Sequence, residues 1–350
     1  MADAFLQLSV EDRREALSVA ADRSGRPTHL LEKDVWVVWV LAVLYESTLA
    51  VLYESTLGEH LVFKGGTSLS KAYRVIRRFS EDVDLTYDIR AIAPDLVRAN
   101  DEALPETRSE EKRWSSEVRK RLPTWVAGTV QPIIADALAA EELAATIRAD
   151  GEKLFIDYEA IAIGSGYVAP TVTLEFGARS TGEPASLREI GCDASAFVEG
   201  VAFPTAQPRV MHAERTFWEK ATAIHVFCLQ ERLCGDRVAR HWHDVARLDE
   251  AGFAAAAFAD RELANAVARH KAMFFAEKAS DRTLIDYWAA VNGELRLVPA
   301  GDRLKTLEED YVRMVEDGLL LDDAEPFEAL MAHCVDITVR ANRTAGKRGG

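Results

Sequence analysis

Asp82 and Asp84 are separated by a single residue in Phe79-Ser80-Glu81-Asp82-Val83-Asp84-Leu85. On an extended strand this spacing puts both carboxylates on one face and Val83 and Leu85 on the other. Side by side they repel unless a cation lies between them, and hard oxygen ligands of this kind suit Mg²⁺ carried together with substrate phosphates. A second candidate stands just upstream, where Leu61-Val62-Phe63 is a short apolar run stopped at Gly65-Gly66, as a buried strand ending in a turn would be. Leu69, Ala72, Tyr73 and Ile76 then recur at helical spacing, which predicts a helix beginning at Thr67-Ser68. Such a helix start offers free backbone N–H groups and a positive dipole end, and the glycines let a ligand come close. Gly65, Gly66, Thr67 and Ser68 are therefore a candidate phosphate cradle. A Gly-Gly turn or an Asp-x-Asp alone is a common structural feature; their succession as strand, turn, helix and acidic strand is what points to chemistry.

Further along, single polar residues stand among apolar ones. Lys153 to Tyr158 and Tyr167 to Ala178 pattern as strands, and in the second Val172, Leu174 and Phe176 point one way while Thr173 and Glu175 point the other. In Glu214 to His225 a helical apolar face is defined by Phe217, Ala221 and Ile224, continued by Cys228. Lys220 lies within it, so its ammonium faces a crevice or snorkels as a structural group. Gly235-Asp236 predicts a turn into Arg240 to Leu248, the return helix of a hairpin, which carries Asp244. His241 and His243 are two apart and diverge on a helix, which makes them a poor joint zinc site.

Taken as an ordered set, these stretches resemble the nucleotidyltransferase toxins of the AbiEii/MenT group, within the polymerase-beta-like nucleotidyltransferase superfamily. The resemblance rests on Lys64-Gly65-Gly66-Thr67-Ser68-Leu69, on Phe79 to Leu85, on Pro170 through Glu175-Phe176-Gly177-Ala178-Arg179, and on the stretches carrying Lys220 and Asp244. It covers most of the chain from Thr28 to Leu248. It implies an α+β fold, with a nucleotidyltransferase core built on a small mixed sheet and a helical carboxy-terminal half. It also implies that Asp82, Asp84 and Glu175 hold one or two Mg²⁺ ions, and that Gly65 to Ser68 grip the phosphates of a nucleoside triphosphate. Lys220 is then the residue that meets the triphosphate, while Asp244 either orients Lys220 or acts on the incoming nucleophile. The biology implied is that of a toxin with a cognate antitoxin, or of a phage-defence module, that transfers a nucleotide to the tRNA 3′ end and blocks translation. The stretch between the Gly-Thr-Ser turn and Asp82 is longer than in compact members of the superfamily, which implies a longer intervening helix.

The elements that must position these residues are legible in outline. Ser9, Glu11 and Asp12 read as the capped start of a helix running to about Asp22 and ended by Gly25-Arg26-Pro27. A second helix starts near Thr28 and carries Glu32-Lys33-Asp34, assigned to packing. Val43 to Ala50 and Val51 to Gly58 are nearly one octapeptide repeated, which extends a helix by a little over two turns. Ala91 to Gly151 reads as two or three helices broken at Pro105, Pro123 and Pro132. Its cations Lys112, Arg113, Arg119, Lys120 and Arg121 suit a solvated helix face or, as the lesser reading, an RNA phosphate contact. Tyr311 to Leu321 and Phe327 to Arg340 suit a packed bundle, and Arg340 to Gly350 reads as a basic, flexible tail. The expected organisation is a core with amino-terminal helices over residues 1–200, a helical domain closing the active site over 201–340, and a tail over 341–350.

With 350 residues and 48% hydrophobic content the chain can bury a sizeable core. A net charge of −15 argues against coating nucleic acid by bulk electrostatics, so any RNA contact relies on local basic patches. Val35 to Tyr45 is too short to span a bilayer, no signal peptide opens the sequence, and four scattered cysteines read as reduced thiols; a cytoplasmic protein without a membrane partner is expected. Two other functions share some of these features. One is a nucleotidyltransferase acting on a protein or small-molecule hydroxyl; the other is a catalytically idle nucleotide-binding protein, for which paired carboxylates have no use.

Overall fold

Ser9 caps the first long helix through its side-chain oxygen, which accepts from the Asp12 amide, and Glu11 and Asp12 add negative charge at the positive helix end. The computed structural model describes residues 2–46, 57–78, 82–98, 100, 102–162, 169–230, 233, 237–320 and 324–346. In it this helix, α1, runs Val10–Ser24 and stops at Gly25, whose φ of 73° is a left-handed conformation that glycine takes without strain. The second, α2, runs Thr28–Glu46 and is buried nearly all round from Leu31 to Leu44, so no polar stripe marks it as amphipathic. Most of the repeated octapeptide, residues 47–56, lies outside the described residues, as does the expected Gly235-Asp236 turn. The tail expected to be flexible from Arg340 is instead helical as far as Gly346, and Arg340 is held by Asp249; residues 347–350 lie outside the described residues.

The chain divides into two compact units, the first made of Met1–Ala72, Ser80–Ala103 and Arg113–Met211. It holds a mixed seven-stranded sheet of β1 (Leu61–Lys64), β2 (Asp82–Tyr87), β3 (Ala145–Asp150), β4 (Lys153–Tyr158), β5 (Thr171–Gly177), β6 (Ala185–Leu187) and β7 (Arg209–Met211). The strands lie in the order β3-β4-β5-β2-β1-β7-β6. At its centre β2 runs parallel to β5 and antiparallel to β1. Val83, Leu85, Val172, Leu174 and Phe176 are buried on one face of this pair, which fixes the polar face for Asp82, Asp84 and Glu175.

Two local expectations differ from what is found. The helix after the glycine turn, α3, spans only Gly65–Lys71; residues 74–77 have no regular structure and Arg74 takes a φ of 54°. Leu69 and Ile76 are nevertheless buried, so their spacing reported burial rather than helix. In the stretch from Ala91 to Gly151, Pro123 lies inside α4 (Arg108–Trp125), and a π-helical turn at Val126–Val130 carries the path into α5 (Gln131–Ala140). Ala145–Asp150 is the edge strand β3, and none of its side chains is fully buried, which is why it left no strand signature.

The second unit comprises Tyr73–Phe79, Leu104–Lys112 and His212–Gly350. Its helices are α6 (Ala213–Leu229), α7 (Arg240–Glu250), α8 (Phe253–Ala259), α9 (Arg261–Phe274), α10 (Tyr287–Val291), α11 (Asp302–Glu316) and α12 (Phe327–Gly346). Trp218 and Trp242 fill its core, and each indole N–H is satisfied by a backbone carbonyl, Ala257 at 3.0 Å and Leu297 at 2.6 Å. The structure is thus α+β, with a mixed sheet and a helical carboxy-terminal half. Among the described residues no helix is long and apolar enough to cross a membrane, and Cys192, Cys228 and Cys334 are free thiols.

Candidate active site

Strand register assembles the polar face of the first unit. Asp84 lies opposite Glu175 and Asp82 opposite Thr173 in the parallel β2–β5 pair. Across the antiparallel pairs, Lys153 lies opposite Glu175 and Lys64 opposite Asp84. Residues paired across strands share a face. Lys153, Glu175, Asp84 and Lys64 therefore form one lateral row, two carboxylates between two amines, and Asp82 stands on the same face of β2.

The glycine turn is fitted against this row. Gly65 has a φ of 77°, and a Cβ built on it would lie 2.8 Å from the Asp84 Cγ, closer than real atoms come. Gly66 follows it in α3, buried. The Thr67 hydroxyl donates to the Asp82 carbonyl, and the Ser68 hydroxyl donates to the Gly65 carbonyl at 2.9 Å. Both side chains are buried, so they tie the turn to β2 and to itself. A phosphate contact at this turn then falls to backbone N–H groups rather than to hydroxyls.

The far end of α3 is anchored by charge. The Lys71 ammonium lies 2.6 Å from Asp34 Oδ1 and 2.7 Å from Asp193 Oδ1, and Asp34 Oδ2 accepts from the Asp193 amide at 2.7 Å. Burial pushes the Asp34 carboxyl up, with Lys71 only partly offsetting it; burial alone would lower Lys71, but Asp34 and Asp193 outweigh it and raise it. Glu32 accepts from the amides of Ile161 and Ala162, so Glu32 and Asp34 of α2 serve packing through satisfied hydrogen bonds.

In the second unit the buried face of Phe217, Ala221, Ile224 and Cys228 on α6 is as expected, and Lys220 is buried with it. Its ammonium lies 2.9 Å from Asp244 on α7. Arg78 meets the same carboxylate with two hydrogen bonds, Nε at 2.7 Å and Nη2 at 2.8 Å. Asp244 is completely buried, which would push its carboxyl up, but Arg78 and then Lys220 outweigh this and hold it far below the usual carboxylate range. It is a fixed negative charge.

Which groups fit a divalent cation follows from the donors. Asp82, Asp84 and Glu175 offer oxygen only, on adjacent strands, the set a hard cation takes. Their oxygens are not drawn tightly together: among the described residues the group of three with ligand atoms within 4.8 Å of one another is Glu250, Glu325 and His333. That group already has a cation, since Arg247 lies 2.8 Å from both glutamates. Glu175 is held by Lys153, whose ammonium is raised above its ordinary value by that hydrogen bond and further by Asp82 and Asp84. Sequence reasoning missed Lys153 and Arg78 as members of these clusters. Lys153 opens a predicted strand but its register is invisible locally, and Arg78 meets Asp244 across 166 residues.

A glycine turn packed on a strand that sets two aspartates on one face with a neighbouring glutamate, within a mixed sheet, is compatible with the nucleotidyltransferase core that the sequence resemblance implies. The family model for "Nucleotidyl transferase AbiEii toxin, Type IV TA system" matches residues 48–333, and the chain belongs to that family. Among solved structures it is similar to JHP933 from Helicobacter pylori, at 14% identity over 90% of this chain and 91% of that one, with a TM-score of 0.39. It is also similar to MenT4, a nucleotidyltransferase toxin from Mycobacterium tuberculosis H37Rv, at 16% identity over 94% and 88%, with a TM-score of 0.36. No curated protein matches the sequence.

Proposed function

We propose that this chain is a Mg²⁺-dependent toxin that transfers a nucleoside monophosphate from a nucleoside triphosphate to an RNA hydroxyl, the tRNA 3′ end, and so blocks translation until a cognate antitoxin intervenes. Membership of a type IV toxin–antitoxin family supports the transferase and toxin parts of this reading. The single observation that carries its chemistry is the register that sets Asp84 beside Glu175 on the face shared with Asp82.

In this reading Asp82, Asp84 and Glu175 would hold one or two Mg²⁺ ions, whose positive charge would offset the negative charge of the triphosphate and favour ionisation of the attacking hydroxyl. Gly65 and Gly66 let the phosphates approach the backbone beside Asp84. Lys220 supplies positive charge where negative charge develops on the leaving pyrophosphate. Asp244 orients Lys220. A carboxylate saturated by Arg78 and Lys220 and held far below its usual range is a poor proton acceptor, which disfavours its acting on the nucleophile. The acceptor oxygen forms a bond to the α-phosphorus, the bond to pyrophosphate breaks, and the hydroxyl proton leaves to solvent.

The test is incubation with Mg²⁺, total RNA and each α-labelled nucleoside triphosphate in turn, with Asp82→Ala as control. A labelled band of tRNA size that vanishes in the variant supports the full reading. Label on the protein instead moves the acceptor to a protein hydroxyl, and label nowhere removes the catalytic reading of Asp82 and Asp84.

A further inference from the structure

Lys153 has no place in the account above, yet it sits within the carboxylate face. Its backbone is fixed in place: Asp150 and Lys153 close the β3–β4 hairpin around Gly151, and the Phe176 amide donates to the Glu152 carbonyl at 3.0 Å, locking the hairpin end to β5. That lock puts Lys153 directly opposite Glu175. Its ammonium pairs with the Glu175 carboxylate in the field of Asp82 and Asp84. The side chain is 49% exposed, so it can leave the pair for water at little cost, as exposed ion pairs generally can.

We propose that Lys153 is the resident counter-ion of the carboxylate face and competes with a divalent cation for Glu175. This rests on the reading of Asp82 and Asp84 as metal ligands. Without a metal, Lys153 neutralises the third carboxylate and occupies the Glu175 oxygen that a cation would take. A cation entering between Asp82 and Asp84 recruits Glu175 only by displacing the ammonium, so Lys153 weakens metal binding in the absence of nucleotide. The neighbouring amine Lys64 lies beyond Asp84 in the row, and it does not face Glu175 across a strand pair. Lys153 is thus a positioning residue that sets when the third ligand is engaged.

The test is a titration with Mn²⁺ alone, free ion being read by electron paramagnetic resonance, on the full chain without nucleotide. Lys153→Met and Lys153→Gln should each bind Mn²⁺ about two- to fivefold tighter than the wild type, the range set by the strength of an exposed ion pair. Lys153→Arg keeps the charge and should stay close to the wild type. In Glu175→Gln the added Lys153→Met change should tighten binding much less, because the larger part of the competition runs through that carboxylate; an undiminished effect in Glu175→Gln would overturn the role of the Lys153–Glu175 pair. Unchanged or weaker binding in both neutral variants overturns the proposal. If Asp82→Ala binds Mn²⁺ as well as the wild type, the metal reading itself fails; if Asp82→Ala loses binding while Lys153→Met matches the wild type, only the role of Lys153 fails.

Discussion

The Asp84 carboxylate occupies the space into which a Gly65 side chain would point: a Cβ there would stand 2.8 Å from the Asp84 Cγ, on a backbone already at a φ of 77°. The turn that would receive phosphates and the strand that would receive a cation are therefore fitted to one another at a position only glycine can fill.

Gly65→Ala should accordingly be damaging on two counts. The left-handed backbone costs a residue with a Cβ about 1–2 kcal/mol, and overlap with a packed neighbour costs about 1–3 kcal/mol more. The variant should lose stability by an amount in that range in a denaturant titration, and it should lose most transfer activity because the overlap is relieved by moving Asp84.

Asp244 is completely buried between Arg78 and Lys220. Asp244→Ala leaves two buried cations without their counter-charge, and the cost should be about 3–5 kcal/mol, read as a large fall in melting temperature. The sign of the pH effect follows from a folded-state carboxyl held far below its unfolded value. Its contribution is complete above the unfolded value of about 3.9 and is lost as the pH falls below that. Acid unfolding of the wild type below that pH should be steeper than that of Asp244→Asn.

His225 is buried with its ring Nδ1 accepting from the Arg296 amide at 3.1 Å. Burial first, and Arg296 second, lower the imidazole from 6.5 to about 4. A depressed basic group stabilises the fold fully above its unfolded value and loses that contribution as the pH drops from 6.5 through about 4. Up to about 3 kcal/mol should disappear across that window, and His225→Asn, which keeps an acceptor and does not titrate, should show a flatter stability profile there.

The Lys71 ammonium holds Asp34 and Asp193 together beneath α3. Lys71→Met leaves the buried Asp34 carboxylate without a cation, facing an Asp193 that keeps Arg26 at 2.5 Å, and should cost about 3 kcal/mol. Adding Asp34→Asn should recover part of that loss, and a double-mutant cycle by thermal denaturation measures the coupling.

What was legible in the sequence is what local periodicity encodes. Alternation put Asp82 and Asp84 opposite Val83 and Leu85, the Ser9 cap placed α1, and the apolar neighbours of Lys220 set it in a crevice or snorkelling along an apolar face rather than in open water. Register was not legible, because the choice of Glu175 as the partner of both Asp84 and Lys153 is made between strands far apart in the chain. The Arg78–Asp244 pair was hidden for the same reason. Leu69 and Ile76 were misleading because apolar spacing records burial, which an irregular chain can satisfy as well as a helix. Pro123 misled because the helix runs through it, from Arg108 to Trp125.

The most direct measurement is the rate of label transfer from an α-labelled nucleoside triphosphate by wild type and Asp84→Asn, at saturating Mg²⁺ and after excess chelator. The account predicts an Asp84→Asn protein that melts like the wild type but transfers about a hundredfold more slowly or worse, and a wild type silenced by the chelator. Transfer by Asp84→Asn at the wild-type rate, or transfer untouched by the chelator, would contradict it.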